Sequence, residues 1–193
     1  TILSRCQIFD FKRIEIKDII KKLKEISEEQ MIICEEEALH VIAQKADGAL
    51  RDALSIFDQI VSFCGKEITY KKVIENLNII DFEYFFEITN NIIQRNTSEC
   101  LNILNDILNN GFNAHNFITK LTEHFRNLLI SKDNETINLL NESVNIKKKI
   151  KTQSDLINPN DLLKAMELCN KADLDYKKSS HPRLLIEMTL IQL

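Results

Sequence analysis

Two arginines lie in segments whose other residues are mostly apolar. Arg5 sits in "TILSRCQIFDF", among Ile2, Leu3, Ile8, Phe9 and Phe11, and Arg51 sits in "ADGALRDALSIFDQ", in the first turn of a stretch with helical patterning. Each has an ordinary reading. Arg51 pairs with Asp52 or another acidic neighbour, and Arg5 is a charge at a strand edge, contributions worth little by themselves. Ser4 and Cys6 flank Arg5 and are potential nucleophiles. Acyl chemistry would need a nearby base to take the proton, and no histidine lies within thirty residues of either in sequence. The four histidines stand in unremarkable settings, and His40 reads as surface or partly packed rather than as a ligand.

Other common chemistries lack their signatures. The phosphate loop G-x-x-x-x-G-K-S/T is absent, as are H-E-x-x-H and G-x-S-x-G. Five cysteines (Cys6, Cys34, Cys64, Cys100, Cys169) are dispersed without zinc-type spacing. They fit buried thiols in a reduced, cytoplasmic protein. No metal site is expected. A net charge of −4 argues against a general polyanion binder. No apolar run reaches the roughly 18 residues of a membrane span, so no membrane partner is expected.

The residues that must position the arginines are helix formers. Three glycines and two prolines in 193 residues leave little punctuation for a β fold. "TILSRCQIFDF" reads as a strand end and an extended connector. From Ile14 the period changes, and Ile16, Ile19, Ile20, Leu23 and Ile26 form a stripe, with Lys17, Lys21, Lys22 and Lys24 on the solvated side. Glu35, Glu36 and Glu37 mark the first turn of a helix that closes at Gly48. The next helix turns Leu50, Leu54, Phe57, Ile60 and Val61 inward and ends at Gly65, and a short helix follows Thr69. Asp81 opens a more aromatic unit, so a boundary is placed near residues 79–81.

Beyond that boundary the chain reads as helical. Asn96 with Glu99 resembles a capping box. Phe117, Ile118, Leu121, Phe125, Leu128 and Leu129 make the clearest stripe, and Asn158-Pro159 starts a helix. The polar stretch from Ser131 to Asp155, with Lys147, Lys148 and Lys149, carries weaker helical signals. The closing "PRLLIEMTLIQL" is apolar on most sides and must be covered by its own domain or by a partner. No fixed-period repeat is present.

Taken together, "TILSRCQIFDF" and "ADGALRDALSIFDQ" closely resemble the gamma/tau subunit family of bacterial DNA polymerase III, the AAA+ ATPase motor of the sliding-clamp loader. The shared words are Ser4-Arg5-Cys6, Gly48, Leu50-Arg51-Asp52-Ala53-Leu54 and Asp58-Gln59, and the closing helix resembles the end of that family's third domain. The resemblance implies an all-α chain: residues 1–13 as the tail of the ATPase domain and a connector, 14–79 as the helical AAA+ lid, and 80–193 as a larger helical collar bundle for oligomerisation. The chain opens at Thr1 without methionine, inside a segment already under way, and is expected to be a piece of a longer polypeptide.

The resemblance assigns the arginines. Arg5 would be an arginine finger reaching the γ-phosphate of ATP held by a neighbouring subunit. Arg51 would be the second sensor, contacting nucleotide in cis from the lid. Both roles suit guanidinium, which stays charged and meets phosphate oxygens with a planar fork. ATP and Mg belong to the full-length protein, a subunit of the DNA polymerase III holoenzyme, a DNA-directed DNA polymerase complex with ATPase activity. The chain alone, lacking the nucleotide-binding core, is expected neither to hydrolyse ATP nor to need a cofactor. The implied partners are the other subunits of a hetero-pentameric clamp-loader ring and, through the assembly, the sliding clamp and primed DNA. Two other readings compete: a free-standing helical interaction adaptor, and a DNA-binding helical domain using Lys147–Lys151.

Overall fold

Isoleucine spacing and acidic first turns shape the opening helices. The computed structural model describes residues 12–133 and 135–193, and the chain divides into two compact units, Thr1–Leu77 and Asn78–Leu193. In the first, α1 (Ile16–Glu29) buries Ile19 and Leu23 completely and leaves its four lysines in solvent. Then come β1 (Ile33–Cys34), α2 (Glu36–Lys45), α3 (Leu50–Cys64), β2 (Glu67–Ile68) and α4 (Tyr70–Asn76). Glu36 and Glu37 occupy the first turn of α2 as the patterning predicts, where the helix dipole favours carboxylates. Helices α2, α3 and α4 pack against one another and bury Leu39, Ile42 and Ala43 of α2, Ala53, Phe57 and Ile60 of α3 and Val73 of α4. Leu50, Leu54 and Val61 are only half-buried.

The two short strands are not foreshadowed by period. They pair in parallel, Ile33 with Glu67 and Cys34 with Ile68, and the Glu35 N–H donates to the Ile68 carbonyl at 3.0 Å. The pairing ties the α1–α2 loop to the α3–α4 loop. The Glu35 carboxylate reinforces it by accepting from the Tyr70 N–H, at the start of α4, at 2.7 Å.

Short polar caps organise the second unit. It contains α5 (Phe82–Ile93), α6 (Thr97–Asn109), α7 (Ala114–Ile130), a 3-10 turn at Thr136–Leu139, α8 (Val144–Ser154), α9 (Pro159–Tyr176) and α10 (Pro182–Gln192). Asp81, Asn96, Asn113, Ser143 and Asn158 each accept a first-turn N–H, which satisfies donors a helix start leaves unpaired. Only half of the expected capping box forms. Asn96 Oδ1 accepts from the Glu99 N–H, but the Glu99 carboxylate accepts from Asn102 Nδ2 at 3.2 Å.

The predicted α7 stripe is the spine of this unit. Phe117, Ile118, Leu121, Phe125 and Leu128 are buried, and α7 packs along α9 and against α8 and α10. Burying each such side chain contributes about 1.5–3 kcal/mol. The polar stretch does hold a helix. Ile150 of α8 is buried, and Lys132 Nζ closes the helix end by donating to the Ser154 carbonyl and, at 2.6 Å, to the Ile157 carbonyl.

Candidate functional site

Arg51 stands in the first turn of α3, exposed, while Ala53 two residues on is fully buried. The spacing explains this. Ala53, Phe57 and Ile60 define the inner face, so position 51 falls outside it. Among the described residues no carboxylate forms an ion pair with Arg51, so it is not bonded to Asp52. The N-cap of α3 is Ala49, which offers no side-chain acceptor to the first-turn N–H groups. A free guanidinium beside uncapped backbone donors is a set suited to phosphate oxygens. Arg5, with Ser4 and Cys6, lies outside the described residues.

The turn before α3 is tightly held. Asp47 and Gly48 take successive left-handed conformations, φ 47° and 82°. The Gly48 carbonyl accepts from the Ile14 N–H at 3.1 Å, and the Arg13 guanidinium pairs with the Asp47 carboxylate. A Cβ at Gly48 would stand 2.7 Å from Arg13 Cβ and 3.3 Å from the Ile14 carbonyl oxygen. Gly48→Ala therefore combines left-handed strain with a steric clash, and is expected to cost the first unit about 2 kcal/mol. Denaturant unfolding checks it; an unchanged midpoint would mean that the segment at Arg13 yields freely.

Further along α3, Gln59 Nε2 donates to Asn76 Oδ1 at 2.9 Å, joining the helix to the end of α4. Part of the "RDALSIFDQ" pattern thus serves the first unit's own packing.

Other reactive groups are spent structurally. Burial pushes the Cys169 thiol up to about 12 and also raises Cys34 and Cys100, the wrong direction for a nucleophile. Among the described residues no His/Cys/Asp/Glu group could hold a metal, and no helix is long and apolar enough to cross a membrane. His115 Nε2 meets Asp173 Oδ1 at 2.8 Å and stacks on Tyr176. Thr119 Oγ1 bonds Asp173 and its own helix's His115 carbonyl rather than the imidazole, so the Thr119 hydroxyl is not aimed at that base. The lysines of α8 are partly engaged. Lys149 pairs with Glu83 and lies 6.0 Å from the Phe86 ring centroid, and Lys151 pairs with Asp155 at 3.4 Å. That depletes the basic run invoked for direct DNA contact.

Sequence reading missed His124. It is 3% exposed on α7, with Nε2 2.9 Å from Gln153 Oε1. Gln153 Nε2 donates to the Phe86 carbonyl at 2.8 Å and to Asn90 Oδ1 at 2.7 Å. The available signal was position: His124 falls between Leu121 and Leu128 on the buried stripe.

Comparison with known proteins agrees with this architecture. Residues 18–66 match the family model for the ATPase lid domain of the DNA polymerase III clamp loader subunit, and residues 68–193 match that for domain III of DNA polymerase III subunits gamma and tau. The chain is 30% identical over its whole length to DNA polymerase III subunit tau of Bacillus subtilis, covering 34% of that protein. It is 35% identical over 74% of its length to DNA polymerase III subunit gamma/tau of Mycoplasma genitalium, covering 24% of it. The chain thus spans about a third or less of the length of these relatives. A solved structure of the Bacillus subtilis DNA clamp loader delta protein shares the fold, with TM-score 0.57 at 21% identity over 94% of this chain and 57% of that one. With both units matched in chain order, and domain III spanning most of the sequence, the chain belongs to the gamma/tau family of DNA polymerase III clamp-loader subunits.

Proposed function

We propose that this chain supplies the lid and the oligomerisation collar of a clamp-loader ATPase, which loads the sliding clamp onto primed DNA at the expense of ATP during replication in the cytoplasm. The observation that carries the proposal is Arg51, exposed and free of described ion pairs, at the uncapped start of α3 in the unit that matches the clamp-loader lid. In the complete subunit Arg51 contacts the nucleotide held by its own ATPase domain and makes the lid respond to it. Arg5 reaches the nucleotide of a neighbouring subunit. ATP with Mg is the fuel of the complete protein, and the residues of this chain contribute positive charge and hydrogen-bond donors to its phosphates.

The collar joins the other subunits of a hetero-pentameric ring. Its candidate contact is the outer side of α10, where Leu184, Met188 and Ile191 recur at spacings of four and three and are 52%, 49% and 57% exposed, while Ile186 and Leu190 are buried inside the unit. The closing helix therefore has a face for each of the two coverings its composition demands.

Arg51→Ala tests the sensor role in the complete subunit. A charge-assisted bond to phosphate is worth about 1.5–3 kcal/mol, so nucleotide affinity should fall at least tenfold. The thermal midpoint should hold, since position 51 is exposed. Titration with a fluorescent ATP analogue measures this; wild-type affinity in the variant would refute the assignment.

A further inference from the structure

We infer that Arg13, Asp47 and Gly48 are positioning residues for Arg51, forming a staple that makes the start of α3 and the chain segment leading into α1 move as one piece. The inference rests on the reading that Arg51 contacts nucleotide.

Three observations carry it. The Arg13 guanidinium pairs with the Asp47 carboxylate and also donates to the Asp47 carbonyl at 3.4 Å. The next residue repeats the connection through backbone, Ile14 N–H to the Gly48 carbonyl at 3.1 Å. At Gly48 the two segments touch so closely that a Cβ would stand 2.7 Å from Arg13 Cβ. Side chain, backbone and steric contact thus join residues 34 apart in sequence.

The location gives the staple its function. Asp47 is four residues before Arg51, and only Gly48, Ala49 and Leu50 intervene. Asp47 and Gly48 lie in the left-handed region, so the turn has few alternative shapes once its carbonyls are held. On the other side, Arg13 and Ile14 run directly into α1, whose N-cap is Glu15. A guanidinium on a long flexible stem meets phosphate productively only if its backbone is fixed relative to the domain holding the nucleotide. In this chain the clamp on the turn is the segment through which the lid is joined to whatever precedes it. A pull on Arg51 is thereby passed to that connection, and displacement of the connection moves Arg51.

The Arg13–Asp47 pair is open to solvent, with side chains 73% and 74% exposed, so its removal should scarcely change folding stability. That separates positioning from packing. Asp47→Asn keeps a residue type that tolerates the left-handed conformation, and Arg13→Ala leaves the backbone bond of Ile14 in place. In the complete subunit each should weaken binding of a fluorescent ATP analogue about two- to fivefold with an unchanged thermal midpoint. Gly48→Ala should weaken it tenfold or more if it folds, and the other two variants do not depend on that.

The decisive readout is coupling to Arg51. Combined with Arg51→Ala, the Arg13→Ala and Asp47→Asn variants should bind no more weakly than Arg51→Ala alone. If both leave affinity at the wild-type value while Arg51→Ala weakens it, the staple idea is overturned and the sensor reading stands. If they weaken binding equally with and without Arg51, they act by another route and the inference fails. If Arg51→Ala itself has no effect, the sensor reading fails and takes the inference with it.

Discussion

Arg5→Ala in the complete clamp-loader subunit, reconstituted with its partner subunits, is expected to lower ATP turnover by about 10³–10⁵ while leaving nucleotide affinity nearly intact. The asymmetry follows from when the charge is needed. During phosphoryl transfer, charge develops on the transferring group and the bridging oxygen, and a guanidinium supplied from a neighbouring subunit stabilises that arrangement more than bound ATP. Loss of the group should therefore appear in kcat, with little change in Kd. Arg5→Lys sharpens the experiment. It keeps a positive charge but loses the planar fork, so most of the defect should remain. Clamp- and DNA-stimulated ATPase measures turnover, and equilibrium titration measures binding. Equal losses of turnover and binding would make Arg5 a ground-state ligand, and undiminished turnover would remove it from the chemistry. Arg51→Ala should show the opposite signature, a loss of affinity for nucleotide in its own subunit.

Acidification should weaken the second unit through His124. Burial lowers its pKa from 6.5 to about 4, partly opposed by the hydrogen bond to Gln153. Gln153 uses both donors of its amide on Phe86 and Asn90, so its Oε1 faces the imidazole and must accept from Nε2–H. Nδ1 is then a bare lone pair, buried and without a partner. The rings of Phe85, Phe86 and Phe125 surround it. A proton placed there would find no acceptor in an apolar setting.

The sign follows from which state takes the proton. Above pH 6.5 His124 is neutral in both states and costs nothing. Between 6.5 and about 4 the unfolded chain binds a proton that the folded chain refuses, so stability falls with pH. At about 1.4 kcal/mol per unit, the loss from this one group is on the order of 3 kcal/mol, complete near pH 4. Hydrogen-exchange protection of the α7 amides, followed from pH 7 to pH 4 after correction for intrinsic exchange, reports the second unit by itself. His124→Leu should be less stable at pH 7, having lost the Gln153 bond, yet show a shallower pH slope. Parallel slopes in wild type and variant would show that carboxylates, not His124, govern the acid response.

Much of this was legible because the signals are local. A cap and its helix lie within a few residues, so Asp81, Asn96 and Asn158 could be recognised from order alone. Apolar periodicity likewise exposed the α7 stripe before any packing was known. The same rule left α8 uncertain: its helix has few apolar residues, and its stability comes from Lys132 at one end and from Ile150 and Gln153 pointing into the core. The network around His124 was hidden for a related reason. Periodicity put the residue on the inner face, but its partner is supplied by α8, 29 residues away.

The sequence by itself determined the helical class, the places where several of the helices begin, and the kinship with the clamp-loader family, since composition, caps and contiguous words such as "GALRDAL" survive as one-dimensional patterns. Only the tertiary structure decided that Arg51 stands clear of Asp52, that two short strands bridge the lid's loops, and that Arg13 locks the turn at Asp47 and Gly48. Those outcomes depend on which side chains and backbone groups meet across long stretches of sequence. That pairing is set by packing the whole unit, and no local pattern encodes it.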